Sequence, residues 1–135
     1  MLFCLLLAAA LAWFILMTWL SHQDGDHTRR TSMFWAQIFS AKGEDEQTLQ
    51  RRNAALRRLA HPGLFAVWAV LVAATCRVGG LAPVWLALPL VWAWGDEATK
   101  PLVPGRHFAW PDVGLNLAGC LLGFAAYAVV AGHLL

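Results

Sequence analysis

The side chains able to do chemistry gather in one stretch of a mostly oily chain, Asp96 to Gly123, DEATKPLVPGRHFAWPDVGLNLAGCLLG. Asp96 and Glu97 open it with two carboxylates, Pro101, Pro104 and Gly105 turn it, and Arg106 follows the turn. Asp112, Asn116, Gly119 and Gly123 then recur at spacings of four, three and four. On an α-helix that is a single stripe. Its lower half, Gly119 and Gly123, is a small-xxx-small contact that lets another helix approach closely. Its upper half puts a carboxylate and an amide on the same face, where ionisable groups at membrane depth are functional candidates. Asp112 has a second reading, as the N-cap of the helix that begins at Pro111-Asp112.

A second group arrives from earlier in the chain. Arg57, Arg58 and His61 end a basic helical pattern, and His61 follows Arg57 by four residues, so both can face one way. The Pro-Gly turn can aim Arg106 back at Asp96 and Glu97. The expected site is thus a polar cluster near one membrane face, built from Arg57, Arg58, His61, Glu97, Arg106, Asp112 and Asn116. Its chemistry is open at this point. The arginines suit a phosphate or pyrophosphate head group, the whole suits a buried ion-pair network, and His61 with Glu97 suits an acid–base pair. His61, Asp96, Glu97 and His107 offer metal ligands, but no HExxH or related spacing organises them. Neither a metal nor a cofactor is expected.

The elements that must position these residues are membrane-spanning. Hydrophobic residues make up 59% of the chain and charged ones 13%, against about 45–50% and about 25% in soluble domains. A net charge of +2 is too small to argue for nucleic acid. Residues 2–20 carry no charge and are long enough to cross a bilayer core of about 30 Å. A cleaved signal peptide is the rival reading, but no Lys or Arg precedes Arg29 and SHQ follows the apolar run. Residues 62–76, 81–95 and 112–135 supply three further crossings. Pro83 and Pro89 in the third are tolerated because neighbouring helices in a bundle satisfy the freed carbonyls.

Between the first two crossings, residues 21–61 form a polar loop. Within it, MFWAQIFSA reads as a short interfacial helix, and the pattern from Glu46, with Leu49, Leu56 and Leu59 on one stripe, as an amphipathic helix on the membrane surface. The fold expected is therefore all-α: one polytopic membrane domain of four transmembrane helices, with an amphipathic interfacial helix between the first two and a motif loop at 96–111. Cys4, Cys76 and Cys120 match no metal or disulfide pattern and read as small buried hydrophobes. Seven of the ten Lys and Arg fall in the first loop and two in the last, which by the positive-inside rule places both loops in the cytoplasm.

The order of these motifs resembles the VanZ-like family, small integral membrane proteins associated with teicoplanin (glycopeptide) resistance. The resemblance rests on Glu97, Pro104-Gly105-Arg106, Asp112, Asn116 and Gly119, on Arg57-Arg58-Leu59-Ala60-His61, and on Ser21-His22-Gln23 after the first helix. It covers nearly the whole chain. Lys100 stands where the family usually has Gln, Leu64 where it has Glu, and Pro62 where it has an aromatic residue. The resemblance implies a multi-pass protein of the bacterial cytoplasmic membrane. It also implies loops outside the cell, against the chain's own Lys and Arg distribution.

Three functions follow as expectations. The first is a protein, not demonstrably an enzyme, that binds membrane lipid: an anionic lipid-linked head group such as a cell-wall precursor, or a lipophilic glycopeptide antibiotic. The second is a small membrane enzyme acting on a lipid phosphate through His61 and Glu97. The third is a helix bundle whose polar cluster only locks packing.

Overall fold

The structure, a computed structural model, describes residues 1–22 and 46–133, and gives backbone alone at residues 46, 49, 50, 52–58 and 133. The described residues are helical throughout their regular elements: α1 (Leu2–Ser21), α2 (Glu46–Gly79), α3 (Ala87–Thr99) and α4 (Trp110–His133), with short 3-10 turns at Pro83–Leu86 and Lys100–Leu102. The interfacial segment read from MFWAQIFSA lies outside the described residues.

Three helical segments are long and apolar enough to cross a membrane: Leu2–Ser21, Leu59–Gly79 and Trp110–Gly132. The expected third crossing differs. Pro83 starts a 3-10 turn, and the α-helix begins only at Ala87. Its 13 residues rise about 20 Å, short of a hydrocarbon core of about 30 Å. Pro89 costs this helix no hydrogen bond, because the N–H groups of a first turn have no intrahelical partner. The helix also runs past Gly95 to Thr99, so Asp96 and Glu97 lie inside it.

The second difference is continuity. The sequence assigns an amphipathic surface helix up to residue 61 and a crossing at 62–76 whose helix can start within RRLAH, and α2 joins the two as one helix of 34 residues through Pro62. An interior proline removes one helical hydrogen bond and costs about 3 kcal/mol in an exposed helix. Here the Pro62 backbone is covered by α4, a setting in which such breaks are tolerated. The far end of α2 closes as a Schellman motif. Gly80 has φ +60°, and Leu81 N–H donates to the Cys76 carbonyl at 2.9 Å while Gly80 N–H donates to that of Arg77 at 3.4 Å.

The glycine stripe sets the tightest packing. A Cβ on Gly119 would meet the Pro62 carbonyl oxygen at 2.2 Å, and one on Gly123 would meet that of Ala66 at the same distance. Both numbers rise by four, so α2 and α4 run in the same direction, backbone against backbone. α1 packs its inner residues Ala10, Met17 and Ser21 on the α2 side and leaves Leu5, Ile15 and Trp19 outward. Phe14 lies 5.0 Å from both Trp68 and Trp92, joining α1, α2 and α3. Of the cysteines, Cys76 and Cys120 are buried as expected, whereas Cys4 is exposed on the outer face of α1.

Candidate functional site

One end of the bundle collects the polar side chains, and Ser21 is its junction. Ser21 closes α1 on the inner face and is buried. Its hydroxyl donates to Asp96 Oδ2 at 2.7 Å on α3. His61 Nε2 on α2 lies 3.3 Å from the same hydroxyl oxygen. With the serine proton given to Asp96, that contact makes His61 Nε2 the N–H donor. Arg106 Nη2 donates to the Ser21 carbonyl at 2.6 Å. The last carbonyls of a helix lack intrahelical partners and carry partial negative charge, so a guanidinium fits there.

Arg106 reaches α1 because of its turn. Gly105 has φ +75°, and Arg106 N–H donates to the Val103 carbonyl at 3.1 Å. Pro104 then Gly105 is the residue pair a type II turn requires, since its third position needs positive φ. The sequence predicts Arg106 aimed at Asp96 and Glu97. It is aimed instead at the end of α1, and it forms no ion pair with either acid.

Asp96 and Glu97 are fully buried, and the cation beside them is Lys100, only 5% exposed. Lys100 Nζ donates to Glu97 Oε1 and lies 4.0 Å from Asp96 Oδ2. Spacings of three and four on a helix bring these side chains together, and Lys100 as the C-cap of α3 also suits the helix dipole. His22 ties α1 to α3 once more, with Nδ1 donating to the Thr18 carbonyl and Nε2 against Thr99 Oγ1, both at 2.8 Å.

Asn116 is fully buried on α4. It lies between two close contacts of that helix, Gly119 on Pro62 of α2 and Cys120, whose Sγ lies 3.5 Å from the Pro89 carbonyl of α3. One turn nearer the polar end, it faces the wedge between α2 and α3. Neither its Oδ1 nor its Nδ2 has a hydrogen-bond partner among the described residues, and the same holds for Asp96 Oδ1, Glu97 Oε2 and Arg106 Nε.

Of the expected cluster, His61, Glu97, Arg106, Asp112 and Asn116 belong to this end of the bundle. Asp112 is half-buried in the first turn of α4. The helix starts at Trp110, so Asp112 is its third residue and not its N-cap. Arg57 and Arg58 sit on α2 one turn before His61, and their side chains lie outside the description. His61 and Glu97 do not touch: the imidazole meets Ser21 and the carboxylate meets Lys100. Among the described residues no three His, Cys, Asp or Glu side chains converge in a way that would hold a metal ion. Ser21, His22 and Thr99 were outside the expected cluster, although Ser21-His22 already stood among the residues that carry the family resemblance. Lys100 was signalled by its spacing from Asp96 and Glu97.

The family model described as VanZ/LLP1 matches residues 3–131. The chain belongs to the VanZ/LLP1 family. No curated protein and no solved structure was found to match it. Lys100 pairs through its side chain with Glu97, and the backbone carbonyl of Leu64 accepts a hydrogen bond from Trp13 Nε1 at 2.9 Å.

Proposed function

We propose that this family member binds the polar head of a membrane amphiphile at one face of the bilayer, and that the head is an anionic, lipid-linked group carrying hydroxyl or amide functions. The observation that carries the reading is the set of five buried polar atoms without a partner among the described residues, on Asp96, Glu97, Arg106 and Asn116. Each such atom costs roughly 1–3 kcal/mol if left unsatisfied. Three of the five are acceptors and two are donors, so the matching ligand brings both. A bare phosphate offers acceptors and would face Asp96 and Glu97. A phosphate-linked sugar or glycerol offers its phosphate to Arg106 and its hydroxyls to the carboxylates and Asn116.

The same geometry supports four crossings. Ser21 at the end of α1 meets His61 near the start of the α2 span and Asp96 near the end of α3. α2 therefore leaves the polar end, and the segment from Pro83 to Thr99 returns to it as a short third pass. The bacterial cytoplasmic membrane is its setting in this reading.

The test is binding of phosphatidylglycerol, a lipid-linked cell-wall precursor and teicoplanin to wild type and to Arg106→Ala in detergent. Saturable binding of one of these that falls about tenfold or more in Arg106→Ala supports the reading. Equal binding in both proteins, or none in either, sinks it. A second reading, a purely structural polar lock, is favoured by the Ser21–Asp96 and Glu97–Lys100 contacts. It predicts loss of folded protein, with no ligand, when these residues change.

A further inference from the structure

His22 is half-buried at the end of α1, and its ring bridges that helix to α3. Nδ1 lies 2.8 Å from the Thr18 carbonyl oxygen, which only accepts, so Nδ1 carries a proton. Nε2 lies 2.8 Å from Thr99 Oγ1. The single hydroxyl proton of Thr99 is wanted elsewhere, because the carbonyl oxygens of Gly95 and Asp96 lie 2.9 and 3.0 Å away. At the end of α3 the Lys100 N–H turns to the Glu97 carbonyl and Pro101 has no N–H, which leaves the Asp96 carbonyl to that hydroxyl. With its proton given to its own helix, Thr99 Oγ1 accepts from Nε2–H. His22 then donates from both ring nitrogens, as only the imidazolium does.

The surroundings suit that charge. Asp96 Oδ1 lies 3.9 Å from His22 Nδ1, is buried, and has no hydrogen-bond partner among the described residues. The Thr18 carbonyl belongs to the last turn of α1, the negative end of the helix dipole. The other charged or titratable side chains described at this end are Asp96 and Glu97 on α3, Lys100 just after it, Arg106 on its turn, His61 on α2 and Asp112 on α4, with His107 exposed beside Arg106. With neutral histidines, the three acids outnumber Lys100 and Arg106, and a proton on His22 levels the balance. The His22 side chain stays 23% exposed, open to protons from water.

Resting on the head-group reading above, we propose that His22 is the proton sensor of that site. Protonated, it cancels the excess of acid and favours an anionic head. Deprotonated, it takes the Thr99 hydroxyl proton from the Asp96 carbonyl, leaves the acids in excess and holds the head more weakly. Histidine is the side chain whose charge ordinarily changes between about pH 5 and 8. By linkage, a ligand that prefers the charged form binds more tightly as the pH falls through that range.

The test has two arms, both on the full chain in detergent. In NMR of the histidine ring nitrogens at about pH 5.5, the acid side of the histidine range, both nitrogens of His22 should carry protons held against exchange. In Thr99→Val the proton on Nε2 should be lost to exchange. The second arm compares the equilibrium affinity for phosphatidylglycerol, whose phosphodiester keeps one negative charge throughout, at about pH 5.5 and about pH 8. Wild type should bind about fivefold or more tightly at the lower pH. His22→Gln should lose that dependence, His107→Gln should keep it, and diacylglycerol, which lacks the phosphate, should show none. A bare ring nitrogen on His22 at the lower pH, or a pH dependence that survives in His22→Gln, overturns the proposal. Equal wild-type affinity at the two pH values also overturns it and leaves the head-group reading standing, whereas no binding at either pH overturns both.

Discussion

Ser21 gives its hydroxyl proton to the Asp96 carboxylate across 2.7 Å, joining the ends of α1 and α3 over an interval of 75 residues. The bond does two things at once. It partners one oxygen of a fully buried acid, and it fixes the serine carbonyl where Arg106 can reach it. Ser21→Ala should therefore lower stability by about 1–3 kcal/mol, because Asp96 is left with a further unsatisfied atom. Thermal melting of the detergent-solubilised protein checks this, and an unchanged melting temperature would remove Ser21 from the network.

Gly119 and Gly123 make the same kind of prediction at the helix contact. A methyl at either position would strike the backbone of Pro62 or Ala66, which cannot rotate out of the way as a side chain can. Gly119→Ala should lower the melting temperature by an amount corresponding to about 1–3 kcal/mol of overpacking. Gly114, with open space around it, is the control: Gly114→Ala should be neutral or slightly stabilising through helix propensity.

Lys100 and Glu97 should behave as a coupled pair. Removing one partner leaves the other charge buried, at a cost of about 3–5 kcal/mol, whereas removing both is far cheaper. Lys100→Met alone should thus be strongly destabilising and Lys100→Met with Glu97→Gln much less so. A double-mutant cycle measured by melting reads the coupling directly. Additive effects would show that the two side chains do not act together.

How much of this was legible beforehand depended on the range of the signal. The Gly119/Gly123 contact was readable because helix spacing alone puts both on one face, and the structure supplies only the partner. The membrane class and the family were readable from composition and from motif order. The target of Arg106 was not. The Pro-Gly turn announced that a side chain would be aimed, but Ser21 lies 85 residues away in sequence, and nothing local marks a helix C-terminus as the acceptor. The continuity of α2 through Pro62 had no local signal for a related reason: whether a proline interrupts a helix depends on what covers it, here α4 at Gly119. The late start of α3 at Ala87 reflects Pro83, whose backbone favours the tight turn that precedes the helix.

Asn116 gives the sharpest discrimination between a binding site and a structural lock. Its amide is buried with neither atom partnered among the described residues, so replacing it with an apolar side chain of similar size removes an unmet demand. The measurement is the melting temperature of wild type and Asn116→Leu, each with and without phosphatidylglycerol. A ligand that binds the folded state raises that temperature in proportion to its affinity. If Asn116 serves a head group, the lipid-free variant melts at or above wild type, and the lipid-induced rise seen in wild type is lost. A variant that melts well below wild type without lipid, or that keeps the full lipid-induced rise, contradicts the account.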